Sequence, residues 1–150
     1  MSLPYETATS GESALRDIQK ILQRFGCQSF GHMTDFEKGE LIVQFKYRDM
    51  PISVKASIGG YAAAWLKEHP HTYRMKRTRS QHEVEARRIA SVAVYSILRD
   101  WIKGQITAVE TGILSFQGAF LGQILLPSGN TVLEEVEQRK MLPAIEGPKS

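Results

Sequence analysis

The chain has 150 residues, 42% of them hydrophobic and 23% charged, which is typical of a globular domain long enough to form its own core. No apolar run approaches about 18 residues, and the start lacks a basic stretch before an apolar one, so we expect neither a membrane span nor a signal peptide. The single cysteine, Cys27, excludes an internal disulfide framework and a multi-cysteine zinc site, and it favours a cytoplasmic location.

The first predicted element is a helix over residues 12–25. Apolar residues recur there at helical spacing from Ala14 to Phe25, Ser10 is suited to cap the start, and Gly26 is suited to end it. The residues before this helix show no periodicity. We therefore predict a mobile arm over residues 1–11, a single domain over residues 12–140 and a mobile tail over residues 141–150.

Three strands are predicted next, a weak one over 28–33 and clearer ones over 40–48 and 52–57, with a tight connection at 49–51. Apolar and polar residues alternate along the second and third strands, so this hairpin is predicted to have one apolar face and one polar face. The basic residues predicted to share the polar face are Lys46, Arg48 and Lys55.

The second half of the chain is predicted to be mainly helical. A short apolar helix over 61–68 precedes a loop over 69–79. The longest helix is predicted to begin at Ser80, because Ser80 and Glu83 match the capping-box pattern. Its expected buried stripe runs from Val84 to Trp101, and Gly104 is expected to end it.

Beyond Gly104 we predict a short helix over 105–111, a helix over 115–126 and an acidic helix or strand over 131–140. The order of elements predicts an α+β fold. In it, a small antiparallel three-stranded sheet in α-β-β-β-α order is covered by helices, and the C-terminal part is helical.

Positive charge is concentrated in the middle of the chain. The net charge is +3, but residues 46–103 hold twelve basic and five acidic residues, whereas the flanking parts hold seven basic and eleven acidic ones. A basic middle between acidic flanks attracts polyanions even when the whole chain is nearly neutral.

Within this region, residues 73–79 place an aromatic residue beside four cations. Cations neutralise phosphates, an aromatic ring stacks on an unpaired base, and a helix N-terminus adds amide donors. The residues predicted to bind nucleic acid are Lys46, Arg48, Lys55, Tyr73, Arg74, Lys76, Arg77, Arg79, Arg87 and Arg88. The alternative is a solvated loop whose cations pair with Glu83 and Glu85.

No motif for catalysis or cofactor binding is found. The sequence has no G-x-S-x-G elbow, no glycine-rich phosphate loop and no H-E-x-x-H motif, so we predict no catalytic residue, cofactor or metal ligand. Cys27 follows a helix end, where the macrodipole opposes a thiolate, and is interpreted as a buried small residue. His69 and His71 flank Pro70 without a carboxylate cluster and are interpreted as structural or surface histidines.

The order of elements over residues 12–57 resembles the start of the PD-(D/E)xK nuclease core. The matching strands read Ser-Val-Lys at 53–55 and Gln-Phe-Lys at 44–46, and neither holds the glutamate that the metal chemistry needs. The order is also similar to that of double-stranded-RNA-binding domains, whose closing helix is basic, whereas residues 61–68 are apolar. A degenerate nuclease is therefore kept as the second alternative.

A further resemblance lies in residues 96–112, with the runs Leu-Arg-Asp-Trp-Ile-Lys-Gly-Gln and Ala-Val-Glu-Thr-Gly, and in Leu-Pro-Tyr and Thr-Ser-Gly within residues 3–11. These runs look like small uncharacterised proteins of bacteriophages and prophages, and the resemblance covers most of the chain. It implies a context of phage DNA metabolism or interference with a host system, and it names no activity. We therefore predict a non-enzymatic accessory protein of recombination or replication that binds DNA or RNA, with DNA favoured.

The first alternative is a protein-interaction module, such as an inhibitor or adaptor, whose partner is a host or phage protein. Trp101 stands among charged residues near a predicted helix end and is the candidate interface anchor, with core packing as its other interpretation. We expect no membrane contact. A homo-oligomer of unspecified size is a further expectation.

Overall fold

One antiparallel sheet and a long helix organise the computed structural model, which describes residues 2–144. The elements are α1 (Gly11–Phe25), β1 (Ser29–Asp35), β2 (Glu40–Tyr47), β3 (Met50–Ser57), α2 (Ile58–Glu68), α3 (Arg79–Glu110), α4 (Phe116–Phe120), a 3-10 helix (Leu121–Gln123) and α5 (Val132–Gln138). The strands pair in the order β1-β2-β3. The α+β fold and the α-β-β-β-α order are therefore confirmed.

The apolar face of the sheet forms the centre of the core. Leu41, Val43 and Phe45 of β2 are buried, and Val54 and Ile52 lie opposite Val43 and Phe45 on β3. This confirms the predicted alternation on β2, because every second side chain of a strand points to the same face. On β3 the alternation in burial is interrupted, since Ser53 of the predicted polar face is also buried and accepts a hydrogen bond from Gln44.

The turn between β2 and β3 differs from the prediction. Tyr47 pairs with Met50, so the connection is the dipeptide Arg48-Asp49, whose φ angles are 48° and 64°. A two-residue hairpin turn of this kind requires positive φ at both positions and matches the twist of the strands. Arg48 therefore lies in the turn and not on the polar face, and Pro51 already belongs to β3.

Two helices pack along α3. α1 lies beside its second half, with Gly11 next to Tyr95 and Arg24 3.8 Å from Glu110. α2 lies against its first half, where the Trp65 and His82 rings are 5.1 Å apart. The buried stripe in the first half of α3 is formed by His82, Ala86, Ala90 and Ala93. Because alanines allow close helix packing, they take the place predicted for Val84, whose side chain is 57% exposed.

Both ends of α3 differ from the prediction. The N-cap is Thr78, whose hydroxyl accepts the N–H of Gln81 at 3.1 Å while the Gln81 side chain accepts the N–H of Thr78. Ser80 is already inside the helix. The helix also continues through Gly104 and includes the predicted separate helix 105–111, because Ile102 and Ile106 on either side are buried. Their burial outweighs the roughly 1 kcal/mol that an interior glycine costs.

The C-terminal part packs along the free edge of β3. Residues predicted as one helix over 115–126 form α4 and the 3-10 helix, after which Ile124 pairs with Ile52. The Leu125 N–H donates to the Pro51 carbonyl at 2.9 Å. Proline is tolerated there because its missing N–H faces this edge and not β2. The acidic segment is helix α5, and the predicted tail lies outside the described residues from residue 145 onward.

Residues 2–10 run across α2 and α3. The Tyr61 hydroxyl donates to the Pro4 carbonyl at 2.6 Å, and the Tyr5 hydroxyl donates to Asp100 at 2.6 Å. These contacts place the segment against α2 and α3. The mobile arm over residues 1–11 stays a prediction. No helix between residues 2 and 144 combines the length and apolarity needed to cross a membrane.

Candidate nucleic-acid interface

Residues 73–79, which we call the basic segment, form the last part of the exposed loop between α2 and α3 together with Arg79, the first residue of α3. Tyr73 is 88% exposed, and the guanidinium of Arg74 lies 5.7 Å from the centre of its ring. The cations of the segment are Arg74, Lys76, Arg77 and Arg79, and all four residues are exposed. None of the four forms an ion pair with another residue in the described part of the chain.

Three histidines, at positions 69, 71 and 82, cluster next to Trp65 and support the loop that carries the basic segment. The ring of His69 lies 4.6 Å from Trp65, and His71 lies 5.7 Å from His82. His71 Nε2 donates to the carbonyl of Arg77 at 2.8 Å, and the buried His82 Nε2 donates to the carbonyl of His69 at 2.6 Å. Because a carbonyl only accepts, both rings carry a proton on Nε2. The backbone of the loop is therefore fixed at two points.

The N-terminal segment reaches the same group of rings. His69 Nε2 lies 3.2 Å from the Glu6 carboxylate. A hydrogen bond from the Leu3 N–H lowers the pKa of Glu6 below its usual value, and the contact with His69 lowers it further. Glu6 therefore links the start of the chain to the base of the basic segment.

Helix α3 begins at Arg79, the last residue of the basic segment. The amide groups at a helix N-terminus carry partial positive charge, so the macrodipole of α3 adds to the potential of the neighbouring cations. Arg87, two turns into the helix, is exposed and without an ion pair among the described residues. Arg88 differs because its Nε donates to Glu85 at 3.1 Å, and this contact lowers the pKa of the Glu85 carboxyl.

The cations predicted on the hairpin have different surroundings. Lys55 Nζ lies 2.9 Å from the Glu134 carboxylate, so α5 supplies its counterion. The N–H of Thr131 lowers the pKa of Glu134, and the contact with Lys55 lowers it further. Arg48 lies with its guanidinium 5.2 Å from the centre of the Tyr47 ring. Lys46 is half-buried on β2.

The hairpin turn with Arg48 and the basic segment lie towards opposite ends of α3. The Tyr47 ring at the end of the hairpin contacts Phe116 at 4.8 Å, and Phe116 follows the C-terminal end of α3. The basic segment precedes the N-terminal end of the same helix, which has 32 residues. At 1.5 Å per residue α3 is about 48 Å long, so the structure does not bring Arg48 to the basic segment.

The other predicted positions have mainly structural contacts. Trp101 is half-buried and meets the Phe120 ring edge-on at 5.7 Å, and its role as an interface anchor stays a prediction. Cys27 is half-buried, and burial raises the pKa of its thiol to about 11. No group of three or more His, Cys, Asp or Glu side chains within residues 2–144 is arranged to hold a metal ion.

The support of the loop by Trp65 and His82 was not predicted from the sequence. One signal was present, because Trp65 and His69 are four residues apart and therefore share a helix face. His82 follows 13 residues after His69, and no local pattern links the two.

Comparison with known proteins gives no relative for this chain. No family model matches it, and no curated protein or solved structure is significantly similar to it.

Proposed function

We propose that this chain is a non-enzymatic nucleic-acid-binding accessory protein and that the basic segment is its main contact surface. The observation that carries the proposal is the group of four exposed cations that form no ion pair in the described residues, next to an exposed tyrosine and a helix N-terminus. Arg87 extends this surface along α3.

The lack of internal partners matters for affinity. A cation that neutralises a phosphate releases a condensed counterion from the nucleic acid, and this release favours binding in low salt. A cation already paired with a carboxylate must first lose that pairing, so its net contribution is smaller. Lys55 and Arg88 are already paired with carboxylates, whereas the cations of the basic segment form no ion pair in the described residues.

Single-stranded DNA is the proposed ligand. Tyr73 projects from a loop with most of its ring accessible, and such a ring stacks on an unpaired base more readily than on a base inside a duplex. The preference for DNA over RNA and the place in recombination or replication are carried over from the resemblance to phage proteins and belong to the proposal.

The test is fluorescence anisotropy with labelled single-stranded and double-stranded DNA across a salt series. The combined variant Arg74→Ala, Lys76→Ala, Arg77→Ala and Arg79→Ala is expected to bind at least about 100-fold more weakly at low salt, with a salt slope reduced by about one unit per lost contact.

The matched control removes the hairpin cations through Lys46→Ala, Arg48→Ala and Lys55→Ala. We expect its affinity to stay within about threefold of wild type, because a surface cation outside the proposed contact surface adds only a weak, screened attraction. Circular dichroism establishes that both variants are folded. Wild-type affinity in the basic-segment variant would refute the proposed surface, and magnesium-dependent cleavage of the DNA would refute the non-enzymatic assignment.

A protein-interaction module is the second candidate, and exposed apolar residues in the C-terminal part favour it. These residues are Ile113, Leu114, Leu121, Leu133, Met141 and Leu142, with exposures between 41% and 74%. Large exposed apolar side chains are typical of association surfaces when they are contiguous. This candidate predicts no DNA binding at low salt, together with concentration-dependent sedimentation that Leu121→Ser and Leu133→Ser abolish.

A further inference from the structure

A polar cavity lies where residues 5–10 pass between the start of α1 and the middle of α3. Its volume is about 360 Å³. Five of its eight lining residues are serine or threonine, and Arg99 is the one charged residue among them. The lining holds no carboxylate and five hydroxyl-bearing Ser and Thr residues, and its Arg99 forms an ion pair with Asp100.

Ser96 is the clearest sign that this cavity receives a ligand. The residue is only 4% exposed and lines the cavity, and its hydroxyl has no hydrogen bond within residues 2–144. Ser91, on the same helix, shows the ordinary alternative, because its hydroxyl donates to the Arg87 carbonyl at 2.9 Å. The Ser96 hydroxyl is open to the cavity, unlike the fully buried His82 Nδ1, so it is free to form a hydrogen bond with a ligand there.

Arg99 lies one helical turn beyond Ser96 and faces the same cavity. Its Nε donates to Asp100 at 2.9 Å, while its two terminal nitrogens make no hydrogen bond in the described part of the chain. Asp100 also accepts the Tyr5 hydroxyl, so its charge is already satisfied by two donors. The guanidinium can therefore present two parallel N–H groups to an oxyanion.

The N-terminus of α1 also borders the cavity, beside the side formed by Ser96 and Arg99 of α3. This helix has 15 residues, and Ser10 caps only the N–H of Ser13, at 3.1 Å. Gly11 allows the close approach to α3, because a Cβ there would lie 2.9 Å from the ring of Tyr95. The positive end of the helix dipole thus meets the cavity beside Ser96 and Arg99.

We propose that this cavity binds a phosphate monoester, with the phosphate held by Arg99, Ser96 and the first turn of α1. The hydroxyls of Thr7 and Thr9 then face the esterified group. The phosphate has two possible sources, a free monoester such as a mononucleotide or the 5′-terminal phosphate of an oligonucleotide. The site uses none of the basic segment, so it does not depend on the function proposed above.

The test is isothermal titration calorimetry with inorganic phosphate, AMP and adenosine. We expect phosphate and AMP to bind and adenosine not to bind. Ser96→Ala should weaken AMP binding at least fivefold, and Arg99→Gln should weaken it more. Ser91→Ala is the matched control and should leave the affinity unchanged, because its hydroxyl lies outside the cavity. Alanine is favourable in a helix, so both serine variants are expected to fold.

The variant without the four cations of the basic segment separates the two sites, because it should still bind AMP with wild-type affinity. Oligonucleotides with and without a 5′ phosphate separate the two sources. Tighter binding of the phosphorylated strand, lost in Ser96→Ala, assigns the cavity to a strand end, and equal binding of both strands assigns it to a free monoester. The proposal is overturned if wild type binds neither phosphate nor AMP at millimolar concentration, or if Ser96→Ala binds AMP as wild type does.

Discussion

The cations of the basic segment and those of the hairpin have the same residue types but different partners. Arg74 to Arg79 lie on an exposed loop, and no carboxylate of the described chain pairs with them. On the hairpin, Lys55 meets Glu134, a residue 79 positions further along the chain. The comparison teaches that a basic stretch is most available for an anion where folding brings no carboxylate to it.

The two regions are also held in different ways. The hairpin is fixed by strand pairing on β2, so its backbone is ordered by the sheet itself. The basic segment has no regular structure before Arg79. A hydrogen bond from His71 to the Arg77 carbonyl holds it, and one from His82 to the His69 carbonyl holds the start of the same loop. Histidine side chains thus fix the backbone of the loop, whereas backbone hydrogen bonds between strands fix the hairpin.

The largest effect on stability is expected from His82→Ala, which tests whether the histidines hold the loop. The substitution leaves the His69 carbonyl without its donor and opens a cavity beside Trp65, so it should lower the free energy of unfolding by about 3 kcal/mol. Hydrogen exchange should show the loss of protection near the basic segment first, with the hairpin amides still protected.

The measurement is urea denaturation followed by tryptophan fluorescence. Val84→Ala is the control, because Val84 is 57% exposed two positions away and should change stability by less than about 0.5 kcal/mol. Equal stability of His82→Ala and wild type would show that the imidazoles do not support the loop.

The next effect concerns Tyr73. Tyr73→Ala should weaken single-stranded DNA binding by about 1–2 kcal/mol, or roughly five- to thirtyfold, because a stacked base loses its ring. Tyr73→Phe should retain the affinity, and duplex binding should change little in either variant. Anisotropy with matched single and double strands measures this difference, and an equal loss for both ligands would exclude base stacking.

Smaller effects on DNA affinity are expected when the carboxylate partners of Arg88 and Lys55 are removed. Glu85→Gln frees Arg88 beside the basic segment and should raise DNA affinity about threefold, which is the scale of an exposed ion pair. Glu134→Gln frees Lys55 on β3, outside the basic segment, so the gain should stay below about twofold. Glutamine keeps the capping box of α5 intact in this variant. A larger gain from Glu134→Gln would place the hairpin in the binding surface.

The smallest effect is a pH dependence at the N-terminal segment. The pKa values of Glu6 and Asp100 are lowered in the folded chain by their hydrogen-bond donors, chiefly the Leu3 N–H for Glu6 and Arg99 for Asp100. The folded state therefore gains stability above the unfolded pKa values and loses it as pH falls through the lower folded ones.

Thermal denaturation between pH 6 and pH 3 measures this loss. Glu6→Gln should make the acid limb shallower than in wild type, because one carboxylate no longer takes up a proton on unfolding. The control, Glu37→Gln on the exposed turn between β1 and β2, should leave the limb unchanged. An unchanged limb in Glu6→Gln would show that the Glu6 contacts add nothing to stability.

Local patterns in the sequence determined much of the fold. The spacing of apolar residues in α1, the Ser10 cap, the Gly26 stop and the alternation in β2 all describe interactions between near neighbours, and the structure agrees with each of them. The predicted end of α3 at Gly104 was wrong. A glycine lowers helix propensity only slightly, whereas the burial of Ile102 and Ile106 contributes more to the stability of the helix.

The sequence by itself determined which residues carry positive charge, and it pointed to residues 73–79 as an exposed basic stretch. Only the tertiary structure decided which cations stay unpaired, because the carboxylate that meets Lys55 and the imidazole that holds the loop come from distant parts of the chain. The cavity at Ser96 was likewise decided by folding, since it forms only where residues 5–10, α1 and α3 meet. Contacts between distant residues depend on how whole elements pack, and no local spacing encodes them.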